Sequence, residues 1–254
     1  MSMVYLADKI ARMKSDISNE EVKQDIVVLY GSSLPDTFGY ASVFDEALYE
    51  TTFTTGSAIE YKQCDGKKTI TIPESFDSEN VTMMGNLTKE AIAGTCDHWR
   101  KVGDNLIETR GFATITYKQG NDGQLMETSS IGLGFQEGIE SCFLSDVMRY
   151  NYDDDYTTTD CIYQETLARY YMGREETKNA LITGALTSDT TSFENVLAES
   201  ETDLTSFLSM ADELKKQEEA RKAGDITPQQ LDDYYVVNIV PFVNAISKEI
   251  GKTM

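Results

Sequence analysis

The chain is poor in the side chains on which most catalytic and metal sites depend. Among 254 residues there is one histidine, His98. A Ser-His-Asp or Cys-His site would have to use that single imidazole. Zinc sites that need two or more histidines are excluded on the same count. Cys96 lies two positions from His98 in a segment whose pattern reads as helical, and residues at that spacing point to different sides of a helix. His98 is therefore expected to pack or to face solvent. The four cysteines, Cys64, Cys96, Cys142 and Cys161, are widely spaced, with no C-x-x-C pair. That usage fits reduced thiols better than a disulfide framework.

Positive charge is also scarce. Lys and Arg number 22 against 43 Asp and Glu, for a net charge of −21. Binding to phosphate backbones or anionic lipid rests on basic clusters that displace counterions, so neither nucleic acid nor a membrane surface is an expected partner. No stretch approaches the roughly 18 apolar residues of a membrane span. The start, Met1-Ser2-Met3-Val4-Tyr5-Leu6 with Asp8 following, has no basic region or long apolar centre of the kind a signal peptide shows, and an intracellular location is expected. The sequons at Asn80 and Asn86 then carry no glycosylation meaning. No phosphate loop G-x-x-x-x-G-K-[ST], no H-E-x-x-H and no G-x-S-x-G occurs. Gly132-Leu133-Gly134-Phe135-Gln136-Glu137-Gly138 has its third glycine one residue late for a dinucleotide turn. It also follows a strand expected to pair antiparallel, whereas that turn belongs to a parallel β-α-β unit.

With 40% hydrophobic and 10% aromatic residues, the chain has ample material for a core. Met3, Leu6, Ile10, Met13 and Ile17 form a narrow apolar stripe at alternating spacings of three and four, which reads as an amphipathic N-terminal arm. Ser18 with Glu21 forms a capping box before a second helix at 19–30 that closes at Gly31. From 40 to 135 the sequence is rich in Thr, Tyr, Ile and Phe between turn residues, as strands are. One hairpin is expected from Ser57–Cys64 through Asp65-Gly66 to Thr69–Ile72. Another runs from Gly111–Tyr117 through Gly120-Asn121-Asp122-Gly123 to Leu125–Phe135. Between them a helix is expected over 87–102, weakened by Gly94.

Residues 136–254 read as predominantly helical. One long helix is expected from Ser192 to near Gly224, with Arg221 and Lys222 placed well for the helix dipole. Thr227, Pro228 and Gln230 signal the next start, and Pro241 should kink or split the helix that follows. With no fixed-period repeat and no low-complexity linker, 1–254 is expected to be a single α+β unit: a helical arm (1–38), an antiparallel sheet built from hairpins (40–135) and a helical region (136–254).

The charge excess is uneven, since residues 136–206 hold four basic and fifteen acidic side chains. Within them Tyr150, Tyr152, Asp153, Asp154, Asp155 and Tyr156 form a loop both acidic and aromatic. Carboxylates there suit a hard cation, but the spacing fits no calcium loop. Tyrosine supplies rigid contact area at interfaces. The candidate interface residues are these six with Met3, Leu6, Ile10 and Met13.

Three function classes follow. The first is a structural or assembly protein without an active site or cofactor, acting through surfaces on copies of itself or other protein subunits. Its specific form would be a tailed-virus neck, connector or tail component, whose arms lock subunits and whose acidic surface lets DNA slide. The second is an acidic mimic of nucleic acid that inhibits a basic protein. The third is a metal-dependent enzyme using Asp153, Asp154, Asp155 or Asp160.

Overall fold

A computed structural model describes residues 51–64, 67–77, 80–120, 124–151, 155–156 and 161–244. The expected arm, the helix at 19–30 and the Asp65-Gly66 turn lie outside them. The described residues form seven α-helices with sheets of three and four strands, so the chain is α+β. In order these are β1 (Thr51–Gly56), β2 (Glu60–Cys64), β3 (Lys67–Pro73), α1 (Val81–Cys96), β4 (Asp97–Val102), β5 (Asn105–Arg110), β6 (Ala113–Gln119) and β7 (Leu125–Ile131). Helices α2 (Leu133–Asn151), α3 (Ile162–Met172), α4 (Glu175–Thr187), α5 (Thr191–Ala198), α6 (Leu204–Ala223) and α7 (Pro228–Tyr234) follow, with a π turn at Tyr235–Ile239. Packing divides them into two compact units, one drawn from 1–97 and 140–158, the other from 98–139 and 159–254.

In the first unit the strand order is β1-β3-β2. β2 and β3 form the expected hairpin, pairing antiparallel from Glu60 opposite Thr71 to Cys64 opposite Lys67. β1 joins the other side of β3 in parallel, which no hairpin pattern announces. Ile70 and Ile72 alternate with threonines and are buried with Phe53. Against β2 and β3 lies α1, which buries Met84, Leu87, Ala91 and Ile92 at helical spacing. Burying Met84, Leu87 and Ile92 contributes about 1.5–3 kcal/mol each, and the Ala91 methyl about half of that or less. The Asn80 side chain starts α1 by accepting from the Met83 N–H at 3.1 Å, so the first sequon serves as a helix cap.

That helix runs over 81–96, not 87–102. Its end at Cys96 gives way to β4, because Trp99 is needed in the sheet, where it stacks on Tyr117 with ring centroids 5.4 Å apart. Gly94 belongs inside α1 because the Tyr61 ring lies where a Cβ would project, 2.9 Å away.

The second unit joins an antiparallel sheet of order β4-β5-β6-β7 to helices α3–α7 and the start of α2. The second expected hairpin is β6 with β7, which ends at Ile131, so the last expected strand residues enter α2 instead. An aromatic cluster forms the core: Phe112, Phe135, Tyr171, Phe193 and Phe207 meet mostly edge to face, at centroid separations from 4.7 Å (Phe135–Phe207) to 6.3 Å (Phe135–Tyr171).

The long helix expected from Ser192 is two helices. Glu201 adopts a left-handed φ of +57° between α5 and α6, and Asp203 caps α6 by accepting from the Ser206 N–H at 2.9 Å. An N-cap inside an apolar run outweighs helical periodicity there. Gly224 closes α6 as expected, at φ +84°. Thr227 and Gln230 form a full capping box with Pro228 at the first helical position. Pro241 acts through the π turn before it, where the Val240 N–H reaches back five residues to the Tyr235 carbonyl. Widening the turn absorbs the missing proline donor without a break in the helical path through Asn244.

Candidate functional site

The four-stranded sheet is held at one end and open at the other. At the held end, β5 turns into β6 through Gly111 and Phe112. Gly111 has φ +57°, and a Cβ there would lie 2.1 Å from Gln136 Oε1 and 2.4 Å from the Ala185 carbonyl, so only glycine fits. The Phe112 N–H donates to Gln136 Oε1 at 3.0 Å, and its ring enters the aromatic core.

At the open end lie the Gly103-Asp104 turn, the ends of β6 and the start of β7. There Val102 is 51%, Leu125 45% and Met126 58% exposed, large apolar side chains set in water. β7 is exposed along Leu125–Ser130, on both faces of the sheet. It is also an edge strand, whose outer backbone groups have no ladder partner among the described residues. Between the two ends, Tyr117 connects the strands by stacking on Trp99 and donating its hydroxyl to Glu108 Oε2 at 2.8 Å.

The glycine-rich turn before α2 has its own occupant. The N–H groups of Gly132 and Gly134 donate to Asp212 Oδ2 and Oδ1 at 2.7 and 2.8 Å. A helix N-terminus attracts anions through its free N–H groups and its dipole, and here a carboxylate from α6 fills that place. Gly132 has φ +81° and a Cβ on it would lie 2.2 Å from the Phe112 carbonyl, whereas a Cβ on Gly134 would sit 2.3 Å from the Ala211 carbonyl, so Gly134 serves the close approach of α2 to α6.

Six residues along α6, Glu218 repeats the device. Its Oε1 accepts from the Tyr163 N–H at 2.8 Å, at the start of α3, where the N-cap residue Cys161 supplies no side-chain cap. Glu218 is 3% exposed, and its Oε2 is buried with no hydrogen-bond partner among the described residues. Burial pushes its carboxyl up to about 7, against the pull of Lys222, Arg221 and Lys215. Lys215 bridges Glu137 and Glu219, both at 2.8 Å. Burial disfavours its charge, but those two hydrogen bonds carry its pKa above the ordinary value.

Of the expected interface residues, Met3, Leu6, Ile10, Met13, Tyr152, Asp153 and Asp154 lie outside the described residues, as does Asp160. Tyr150 falls in the last turn of α2, and Asp155 is exposed. Tyr156 is half-buried; its carbonyl accepts from Arg149 Nε at 2.6 Å, and its hydroxyl lies where a Cβ on Gly85 would project. Tyr156 thus works in packing as much as at the surface. His98 is exposed on β4 and Cys96 buried at the end of α1, so the pair does not share a helix. Among the described residues no group of three or more His, Cys, Asp and Glu gathers as a metal site, and no helix is long and apolar enough to cross a membrane.

Pattern reading placed Val102 in the helix expected over 87–102 and Leu125 and Met126 in the second hairpin, and marked none of the three as an interface residue. The available signal was the Gly103-Asp104 dipeptide, which marks a tight turn, and the absence of apolar alternation in Leu125–Ile131. Asp212 and Glu218 were hidden among the charges of α6, since nothing local distinguishes a carboxylate that caps another helix from one facing solvent. No family model, curated protein or solved structure matches this chain.

Proposed function

We propose that this chain is a structural protein that acts by assembly through protein–protein surfaces, with other copies of itself or other subunits, and has no active site of its own. The observation that carries the reading is the open end of the four-stranded sheet. Its far end is fixed in the aromatic core by Phe112, while Leu125 and Met126 stand exposed on the edge strand β7 and Val102 stands exposed at the opposite edge, on β4. Exposed apolar side chains beside unsatisfied backbone groups are what a sheet presents when another chain completes it.

The setting proposed is a tailed-virus particle, in its neck, connector or tail. Rings and tubes need rigid projections to join subunits, and a chain of net charge −21 lining a passage would repel DNA rather than hold it.

The test is absolute mass in solution, by size-exclusion chromatography with light scattering, over a wide concentration range at low and high salt. A discrete higher oligomer or a growing filament is the expected result. A compact monomer under every condition, with no binding of other structural proteins from the same particle, refutes it.

A further inference from the structure

We infer, on the assembly reading above, that the β7 edge of one copy pairs antiparallel with the β4 edge of the next, continuing the four-stranded sheet from copy to copy.

Strand parity allows this pairing. The sheet is antiparallel and has four strands in the order β4-β5-β6-β7, so β4 and β7 run in opposite directions. Setting β7 of one copy beside β4 of an identically oriented copy therefore continues the antiparallel alternation. A sheet with an odd number of strands would bring two parallel edges together.

The register then matches side chains across the join. Met126 pairs with Lys118, and Lys118 with Asn105. The two-residue turn Gly103-Asp104, with Gly103 at φ +60°, sets Asn105 opposite Val102, since turn length fixes hairpin register. Val102 and Met126 thus occupy one row at opposite edges of the sheet. In the next row, Glu127 pairs with Tyr117 and Tyr117 with Leu106, and Leu106 lies opposite Lys101 by the same turn. An unslipped continuation therefore places Met126 against Val102 of the next copy and Glu127 against its Lys101. All four residues are exposed. Apolar meets apolar and acid meets base, the pairings that stabilise neighbouring strands.

Charge elsewhere would keep copies of so acidic a chain apart. Residues 98–131 carry four basic and four acidic side chains, so the sheet is neutral in a chain of net charge −21. Edges that must stay single are commonly guarded by lysine or proline. β7, Leu-Met-Glu-Thr-Ser-Ser-Ile, has neither, whereas β4 bears Arg100 and Lys101, the complement of Glu127. A register shift at Thr116/Tyr117 makes Thr128 an extra residue on β7, which confines regular pairing to the open end of the sheet. Each contact is consequently small. Because it joins unlike edges, it repeats around a ring or along a filament, where many weak contacts act together.

The experiment uses the full chain and the charge reversals K101E and E127K, singly and combined, followed by light scattering against concentration at low salt. Each single variant should raise the concentration at which oligomers appear by about tenfold, and the double variant should restore it. Mixed V102C and M126C chains should cross-link to each other under mild oxidation, while neither cross-links alone. Far-UV circular dichroism confirms folding in each case. Wild-type oligomers that both single variants leave unchanged, or M126C chains that cross-link among themselves, overturn this contact while the assembly reading stands. A wild-type chain that stays monomeric and captures no other subunit overturns both.

Discussion

Replacing Glu218 by glutamine should stabilise the protein above neutral pH and leave it little changed in acid. Folding places this carboxylate among Glu137 of α2, the start of α3 at Tyr163, and Lys215, Arg221 and Lys222 of its own helix, with one oxygen buried and given no hydrogen bond by the described residues. Burial lifts its pKa from 4.5 to about 7. Below about pH 4.5 the folded and unfolded chains are both protonated there, and the contribution to stability is fully present. Between about 4.5 and 7 the folded chain keeps a proton that the unfolded chain releases, so stability falls as pH rises and levels off above 7. At about 1.4 kcal/mol per tenfold change in proton affinity, the fall amounts to about 3 kcal/mol. Glutamine keeps an acceptor for the Tyr163 N–H and cannot ionise. Urea unfolding of wild type and E218Q, from about pH 4.5 to 8, should give a difference that grows by about that amount in favour of E218Q. Trp99, the single tryptophan, reports on the same unit through its stacking on Tyr117. A difference that stays constant with pH would refute the reasoning.

Three further outcomes follow from the packing. D212A should destabilise by about 2–3 kcal/mol in denaturant unfolding, because the Gly132 and Gly134 N–H groups lose a charged acceptor in a buried place, and D212N by less, since one carbonyl oxygen can still accept. G111A combines a left-handed φ with a Cβ 2.1 Å from Gln136 Oε1, so its loss should be about 3 kcal/mol or more by thermal denaturation, with hydrogen-exchange protection falling first along β5 and β6. N80A removes the cap of α1 and should lower stability by about 1 kcal/mol, whereas N86A, at an exposed mid-helix position, should be near neutral in the same unfolding assay.

Much of the fold was legible because local chemistry and tertiary demand agree. Thr227-Pro228 with Gln230 and Gly224 after a basic helix end each act within a few residues, and the structure uses the capping box and helix stop they imply; the strand-like runs at Glu60–Cys64 and Lys67–Pro73 likewise pair with each other. Where they disagree, sequence reading fails for a definite reason. The helical period through Leu87–Val102 continues past Cys96, but the chain leaves the helix there and Trp99 stacks on Tyr117 within the sheet, a long-range contact that helical spacing does not encode. The apolar run from Phe193 to Leu214 continues past Asp203, whose side chain is better used as a cap.

By itself, the sequence determined the α+β class, the two expected hairpins, the capping box at Thr227, the helix stop at Gly224 and the anionic character, because composition and near-neighbour spacing suffice for each. Only the tertiary structure decided that β1 pairs parallel with β3, that Asp212 fills the helix N-terminus a glycine-rich turn left open, and that Glu218 is buried at the start of another helix. It also decided that Val102 and Met126 face outward at opposite edges of one row. Partners in these contacts lie up to 80 residues apart in the chain, and no local pattern encodes which distant backbone will meet a given side chain.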